Sequence, residues 1–305
     1  MTSKLKAHLA LIAANVIYGL NYTIAKIALP GYIDPFSFVL IRVSLALLLF
    51  WMMWGILVRE EIERKDIPVF MLGGLFGVAI NQLLFFHGLA QTTEINASLI
   101  MITVPIIVLV LSHLLIREKI TWRKISGITL AAIGAFLLIG FGQDFNFGSE
   151  TMNGDLMILA NASSYALYLV IMKPLTNKYN PLTVVSMVFS FGLIPVAFFG
   201  YKHLTKIDWP AFTPIVWFSV LYVVLATTVM AYLLNMFALK KVNPSIVSVY
   251  IYSQPLIATT VSVAAGNDLL TLLKVLAGML IILGVFLTTH TQMINAGLFY
   301  KKKGT

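Results

Sequence analysis

The sequence predicts an all-α polytopic membrane protein with ten transmembrane helices arranged as two inverted five-helix repeats, and three observations carry that prediction. The first is composition: of 305 residues 59% are hydrophobic and 11% charged, with a mean hydropathy of +0.92. A soluble domain carries about 25% charged residues, so this chain lacks the polar surface to cover itself in water. The second is the spacing of its apolar runs, ten of which are long enough for a span of about 20 residues each. The third is a repetition of residue types at an offset near 150.

The predicted spans follow in order, bounded by charges or by Pro, Gly and Asn: 7–29, 36–58, 68–90, 95–116, 123–142, 154–175, 183–200, 213–238, 244–264 and 272–292. The first has a basic start like a signal peptide, but its apolar run continues to about Leu29, too long for a cleaved h-region. The connections are mostly short, so consecutive helices are antiparallel neighbours. With the N-terminus taken as cytoplasmic, 16 Lys and Arg fall in inner loops and tails and four (Lys26, Lys202, Lys206, Lys274) in outer ones, with the intramembrane Arg42 completing the 21. That bias orients the chain with both termini in the cytoplasm, which an even number of spans requires. The tail Lys301–Lys303 is expected at anionic headgroups.

The net charge of +9 is spread over these loops and forms no basic face, so nucleic acid is not an expected partner. The expected partners are a small-molecule substrate and the lipid bilayer; monomer and homodimer stay open. Cysteine is absent, which removes disulfides and thiolate metal sites. No cofactor and no metal is expected.

At an offset of 150, Ser98 pairs with Ser248, Pro105 with Pro255, Glu118 conservatively with Asp268, Thr121 with Thr271, Lys124 with Lys274, Gly134 with Gly284, and Phe136 with Phe286. Earlier in each half the offset is 147: Tyr18 with Tyr165, and Lys26 with Lys173. The repeats are 1–146 and 147–305. Five spans per copy invert the second copy, and inverted repeats characterise secondary transporters that hold substrate near the midplane.

The segment Gly77–Leu138 resembles the core of an EamA-type transporter of the drug/metabolite transporter superfamily. The resemblance rests on Ala97–Ser98, the mid-helix Pro105, the Arg117–Lys119 turn and a glycine-spaced fifth helix. The stretch around Pro255 followed by GMLIILGVFL repeats the pattern, and Tyr18, Gly19 and Asn21 are similar to the family's first-helix Trp-Gly-x-Asn, with Tyr for Trp. Arg42 falls where the family often has an arginine in its second helix, while Asp268 departs from the family's usual glutamate. The resemblance implies ten helices, cytoplasmic termini, and movement of small metabolites, often amino acids and usually outward. A bacterial inner membrane follows from the same resemblance.

Several residues are candidates for chemistry. Pro105 and Pro255 each break a backbone hydrogen bond within an apolar helix and are expected as paired hinges, with inherited kinks as the alternative. Arg42 lies inside span two, where a charge is costly and points to function: it attracts a substrate carboxylate or phosphate, or it snorkels. Lys26, a turn from its helix end, is expected to snorkel. All twelve acids lie in loops or within a turn of a helix end, so the sequence lacks a mid-membrane carboxylate relay and points to facilitated diffusion or exchange. His87 and His113, inside spans but near their ends, are expected to be packed and hydrogen-bonded.

The expected lining of a central cavity is Tyr18, Asn21, Asn81, Gln82, Phe85, Tyr165, Tyr168, Tyr232, Asn235, Tyr250 and Gln254, together with Arg42, because amides buried in lipid need partners and so face the bundle interior. Interhelical glue is the alternative for each. Amides and aromatic rings suit a small amphipathic solute such as an amino acid. Gly127, Ala131 and Ala135 recur every fourth residue and predict close helix packing. A channel or lipid scramblase is the nearer rival. An acyltransferase would use the His203–Asp208 spacing, which falls in an outer loop. No Gly-Lys-Ser/Thr phosphate loop and no H-E-x-x-H pair is present.

Overall fold

The structure, a computed structural model, describes residues 3–29, 31–140, 150–264 and 269–301. Among these the chain is helical, without strands. Asp268, Lys302, Lys303 and the repeat boundary at 146–147 lie outside the described residues. We number the helices α1 (Ser3–Ala28), α2 (Pro35–Leu57), α3 (Arg64–Gln91), α4 (Glu94–Ile116), α5 (Trp122–Gly140), α6 (Met152–Lys178), α7 (Pro181–Leu204), α8 (Pro214–Lys241), α9 (residues 244–264) and α10 (Leu272–Lys301).

Nine helices among the described residues are long and apolar enough to cross a bilayer. α9, expected as the ninth span, is not one of them. It is helical throughout its length but divided, Pro244–Val249 and Ser253–Ala264 being separated by a 3₁₀ turn at Tyr250–Tyr252. Nine of the ten expected spans are thus shown among the described residues, with an interrupted helix at the position of the other. Pro255 accounts for the interruption itself, since its ring and missing N–H disfavour the regular ladder one turn before it. α4 is divided likewise: Glu94–Met101 and Val104–Ile116 flank a turn ahead of Pro105. Thr103 donates to the Ile100 carbonyl at 2.7 Å and Ser253 to the Tyr250 carbonyl at 2.6 Å, so each break is closed by a hydroxyl at the same repeat position. Tyr252 also donates to the Ile102 carbonyl at 3.0 Å, joining the two breaks.

Helix ends obey local chemistry. Asp34 accepts the Phe36 N–H at 2.9 Å and Asn180 accepts the Leu182 N–H at 3.0 Å, each followed by a first-turn proline, the usual way to satisfy orphan donors. α4 ends on Arg117, in the left-handed region at φ 56°, with the Glu118 N–H returning to the Ser112 carbonyl at 3.0 Å.

α5 and α10 pack through small residues. A Cβ at Gly134 would stand 2.6 Å from the Ala277 carbonyl, and one at Gly284 would stand 2.4 Å from the Gly127 carbonyl. The pairing runs in opposite directions, so the helices are antiparallel, and 127/277 and 134/284 are each 150 apart. This is close backbone approach of the kind small residues permit in lipid. Elsewhere α1 packs on α8 and α9, as α6 packs on α3 and α4, and α2 packs on α7.

Candidate functional site

A cavity of about 90 Å³ lies where α1, α2, α3, α6, α8 and α9 meet, room for several waters or one small solute. α1 contributes Asn15, Tyr18 and Asn21; α2 contributes Arg42; α3 contributes Asn81, Gln82, Phe85 and Phe86; α4 contributes Met101; α6 contributes Asn161 and Tyr165; α8 contributes Thr227, Tyr232 and Asn235; and α9 contributes Val247, Ile251 and Gln254.

Irregular backbone frames this space. α3 carries a π-helical segment at Leu75–Ile80 and α8 one at Val223–Met230. Such segments leave carbonyls poorly bonded within their own helix, and protein groups must satisfy them in lipid. Ser164 donates to the Phe76 carbonyl at 2.6 Å, Tyr232 to the Gly77 carbonyl at 3.0 Å, and Thr228 to the Val223 carbonyl at 2.7 Å.

Polar pairs tie the walls together across helices. Gln82 donates to Tyr232 Oη at 3.1 Å, Asn235 to Tyr18 Oη at 3.1 Å, Thr227 to Asn21 Oδ1 at 3.1 Å, Gln254 to Asn15 Oδ1 at 2.8 Å, and Asn161 to the Asn81 carbonyl at 2.7 Å. Two amide oxygens remain buried without a donor, Gln82 Oε1 and Asn161 Oδ1.

Among the described residues Arg42 is the only cation lining the cavity, and it is 3% exposed. Its Nε donates to Thr228 Oγ1 at 2.9 Å, and its guanidinium carbon lies 4.6 Å from the Phe86 ring centre. Among the described residues no carboxylate pairs with it, and its terminal nitrogens make no hydrogen bond. A buried charge without a counter-charge is costly, and an anion delivered to the cavity relieves that cost. Burial at this depth does not fit the snorkelling alternative.

Ten of the twelve expected lining residues therefore surround one cavity. Tyr168 does not, since its ring lies over Gly77, where a Cβ would be 2.2 Å away, and its hydroxyl donates to Met236 Sδ at 3.6 Å. Tyr250 does not either; its hydroxyl meets His8 Nδ1 at 2.8 Å. Sequence reasoning missed Asn15 and Asn161, although Asn15, Tyr18 and Asn21 share one stripe at a spacing of three and Asn161 precedes Tyr165 by one turn. Thr227 carried no comparable signal. Of the two histidines, His113 Nδ1 lies 3.1 Å from the Glu118 carbonyl, as expected. His87 packs on the Phe36 ring at 4.6 Å while its Nδ1 stays unbonded, so packing holds it without the expected hydrogen bond at that nitrogen.

A second cavity of about 110 Å³ adjoins the first through Met101, Ile251 and Gln254 and extends between α1, α4 and α9 past Gly19, Thr23, Ser98 and Glu94. Toward the opposite end of the bundle lies a buried ion pair, Lys124 Nζ to Glu118 Oε1 at 2.6 Å, to which Ser245 also donates.

The EamA-like transporter family matches the chain twice, over residues 5–140 and 152–290. An uncharacterized transporter of Archaeoglobus fulgidus is 28% identical over 295 residues, spanning 94% of this chain and 98% of that protein. The uncharacterized transporter YdfC of Bacillus subtilis is 30% identical over 272 residues, spanning 86% and 84%. A WAT1-related protein of Arabidopsis thaliana is 23% identical, spanning 92% and 85%. A solved crystal structure of a protein superposes with a TM-score of 0.74 at 20% identity, over 92% of this chain and 97% of that one, a likeness of fold.

Proposed function

The chain belongs to the EamA-like transporter family, and from that premise we propose that it is a secondary transporter rather than an enzyme, carrying amino acids or similar small amphipathic solutes by alternating access through the central cavity. On this reading the halves 1–146 and 147–305 are inverted repeats of five helices each, with α9 completing the ten. The chain lies in the cell (inner) membrane with both termini cytoplasmic, and acts as an exporter or facilitator.

The observation that carries the reading is the buried guanidinium of Arg42 on a cavity without a carboxylate partner. It offers donors to a solute carboxylate. The unsatisfied oxygens of Gln82 and Asn161 offer acceptors to an ammonium or hydroxyl, and the rings of Tyr18, Phe85 and Tyr165 offer an apolar wall. The contacts at matching repeat positions support the duplicated architecture, and the Lys/Arg bias supports the orientation.

Uptake of a panel of labelled amino acids into proteoliposomes tests it against empty vesicles. Saturable uptake of at least one zwitterion is expected. Uptake of none would refute the amino-acid assignment, and flux that grows linearly with concentration would favour a channel.

A further inference from the structure

Lys26 and Lys173 occupy matching positions in the two halves, yet the structure treats them differently. Lys173 Nζ donates to the Leu239 carbonyl at 2.6 Å and to the Val242 carbonyl at 2.9 Å, fastening α6 onto the turn between α8 and α9. A lysine on carbonyls left over at a helix C-terminus is a favourable clamp.

The matching turn between α3 and α4 has the same shape. Thr92 has φ −129° and ψ 176°, Val242 φ −130° and ψ 170°; Thr93 has φ −81° and ψ 155°, Asn243 φ −79° and ψ 157°. The carbonyls of Leu89 and Thr92 thus repeat the receptor that Leu239 and Val242 offer. Among the described residues no side chain donates to either of them. Lys26 makes no hydrogen bond there, is one-third exposed, and approaches only Glu94 Oε1, at 3.7 Å.

A space of about 510 Å³ opens beside Lys173 along Arg117, Lys119 and Asn177, but deeper along the two helix pairs the matched small residues follow the asymmetry. Beside Lys26, the space between α1 and α4 is open along Thr23 and Ser98. Their mates beside Lys173, Val170 and Ser248, are fully buried at 0% exposure. One end of the bundle is clamped and the other is not.

We propose that Lys26 is the latch of the opposite conformation: when the α1–α4 cleft closes, its ammonium leaves Glu94 and docks on the carbonyls of Leu89 and Thr92, while Lys173 releases Leu239 and Val242. The inference rests on the inverted-repeat transporter reading, and it makes the two lysines opposing weights on one equilibrium. A state loses population by the free energy of the contacts removed from it, and two charge-assisted hydrogen bonds correspond to a shift of roughly tenfold or more.

The chain has no cysteine, so single reporters are clean. Ser98→Cys reads the cleft beside Lys26 and Ser248→Cys reads the closed mate position, each by its rate of labelling with a membrane-impermeant maleimide from its own side. Lys173→Met should slow labelling at position 98 and speed it at position 248, the ratio of the two rates changing roughly tenfold or more. Adding Lys26→Met to that background should return both rates toward wild type. A double variant that labels like Lys173→Met alone overturns the latch, as does a rise at both positions together, which marks loosened folding instead of a shifted balance. Should Lys173→Met fail to insert, Lys26→Met alone breaks only the Glu94 pair and should slow labelling at position 248; an unchanged rate refutes the proposal. The readout needs no substrate. Transport with no labelling shift removes the latch alone, and a labelling shift with no transport removes the transporter reading alone.

Discussion

Replacing Arg42 with glutamine separates a substrate-binding charge from a structural one. The side chain is 3% exposed, with one hydrogen bond to Thr228 and one ring contact with Phe86. Losing these costs about 1.5–3 kcal/mol for the hydrogen bond from a charged group and about 0.5–2 kcal/mol for the ring contact. Against that stands relief from burying an unpaired charge, whose effective penalty inside a protein is several kcal/mol. The fold should therefore tolerate Arg42→Gln with little change in melting temperature. Binding is different. A charge-assisted hydrogen bond to a solute carboxylate contributes about 1.5–3 kcal/mol, or roughly tenfold to a hundredfold in affinity at 1.4 kcal/mol per decade. The assay is competition for uptake by an amino acid and by its neutral amide analogue, in wild type and variant. The wild type should prefer the carboxylate by that factor, and Arg42→Gln should bring the two within about twofold. Equal loss of both solutes in the variant would refute the role given to Arg42.

Three further outcomes are expected. Glu118→Gln leaves Lys124, 4% exposed, without its counter-charge, and should destabilise the protein by about 3–5 kcal/mol in a thermal melt; Glu118→Gln with Lys124→Met should recover most of that. Pro105→Ala combined with Pro255→Ala should lower transport while insertion, followed by yield and melting temperature, is retained; undiminished flux would remove the hinge role. Lys178, and secondarily Lys65, hydrogen-bond the exposed Glu63 carboxylate and hold its pKa below the ordinary carboxylate value. A lowered folded-state value means the contribution is complete above the ordinary range near pH 4.5 and is lost as pH falls through the folded value. Melting temperature should therefore be insensitive to Glu63 titration from pH 5 to 8, and the acid-side loss should shrink in Glu63→Gln.

The spans were legible because lipid imposes a simple rule of length and apolarity, and the small-residue spacing of α5 announced a close helix contact, whose partner, α10, only the structure supplies. Amide and aromatic residues deep in apolar runs were equally legible: such groups have few places to go except a shared interior, and ten of those named surround one cavity. What failed depended on partners distant in sequence. Tyr168 lies three residues after Tyr165 on the same face, yet the bare Gly77 on α3 captures its ring. Tyr250 is held away by His8. The π-helical segments of α3 and α8 left little local signature, because neither Leu75–Ile80 nor Val223–Met230 contains proline and only the latter carries polar residues, Thr227 and Thr228. The breaks in α4 and α9 were foreshadowed by Pro105 and Pro255.

The most direct measurement of the central claim is counterflow. Proteoliposomes preloaded with an unlabelled amino acid from the transported class are diluted into trace labelled solute, with and without an imposed pH gradient. Alternating access predicts transient accumulation of label above equilibrium, abolished when the vesicles are not preloaded and indifferent to the gradient. Equilibration without overshoot would contradict a carrier in favour of a channel, and overshoot that appears only with the gradient would contradict gradient-independent exchange.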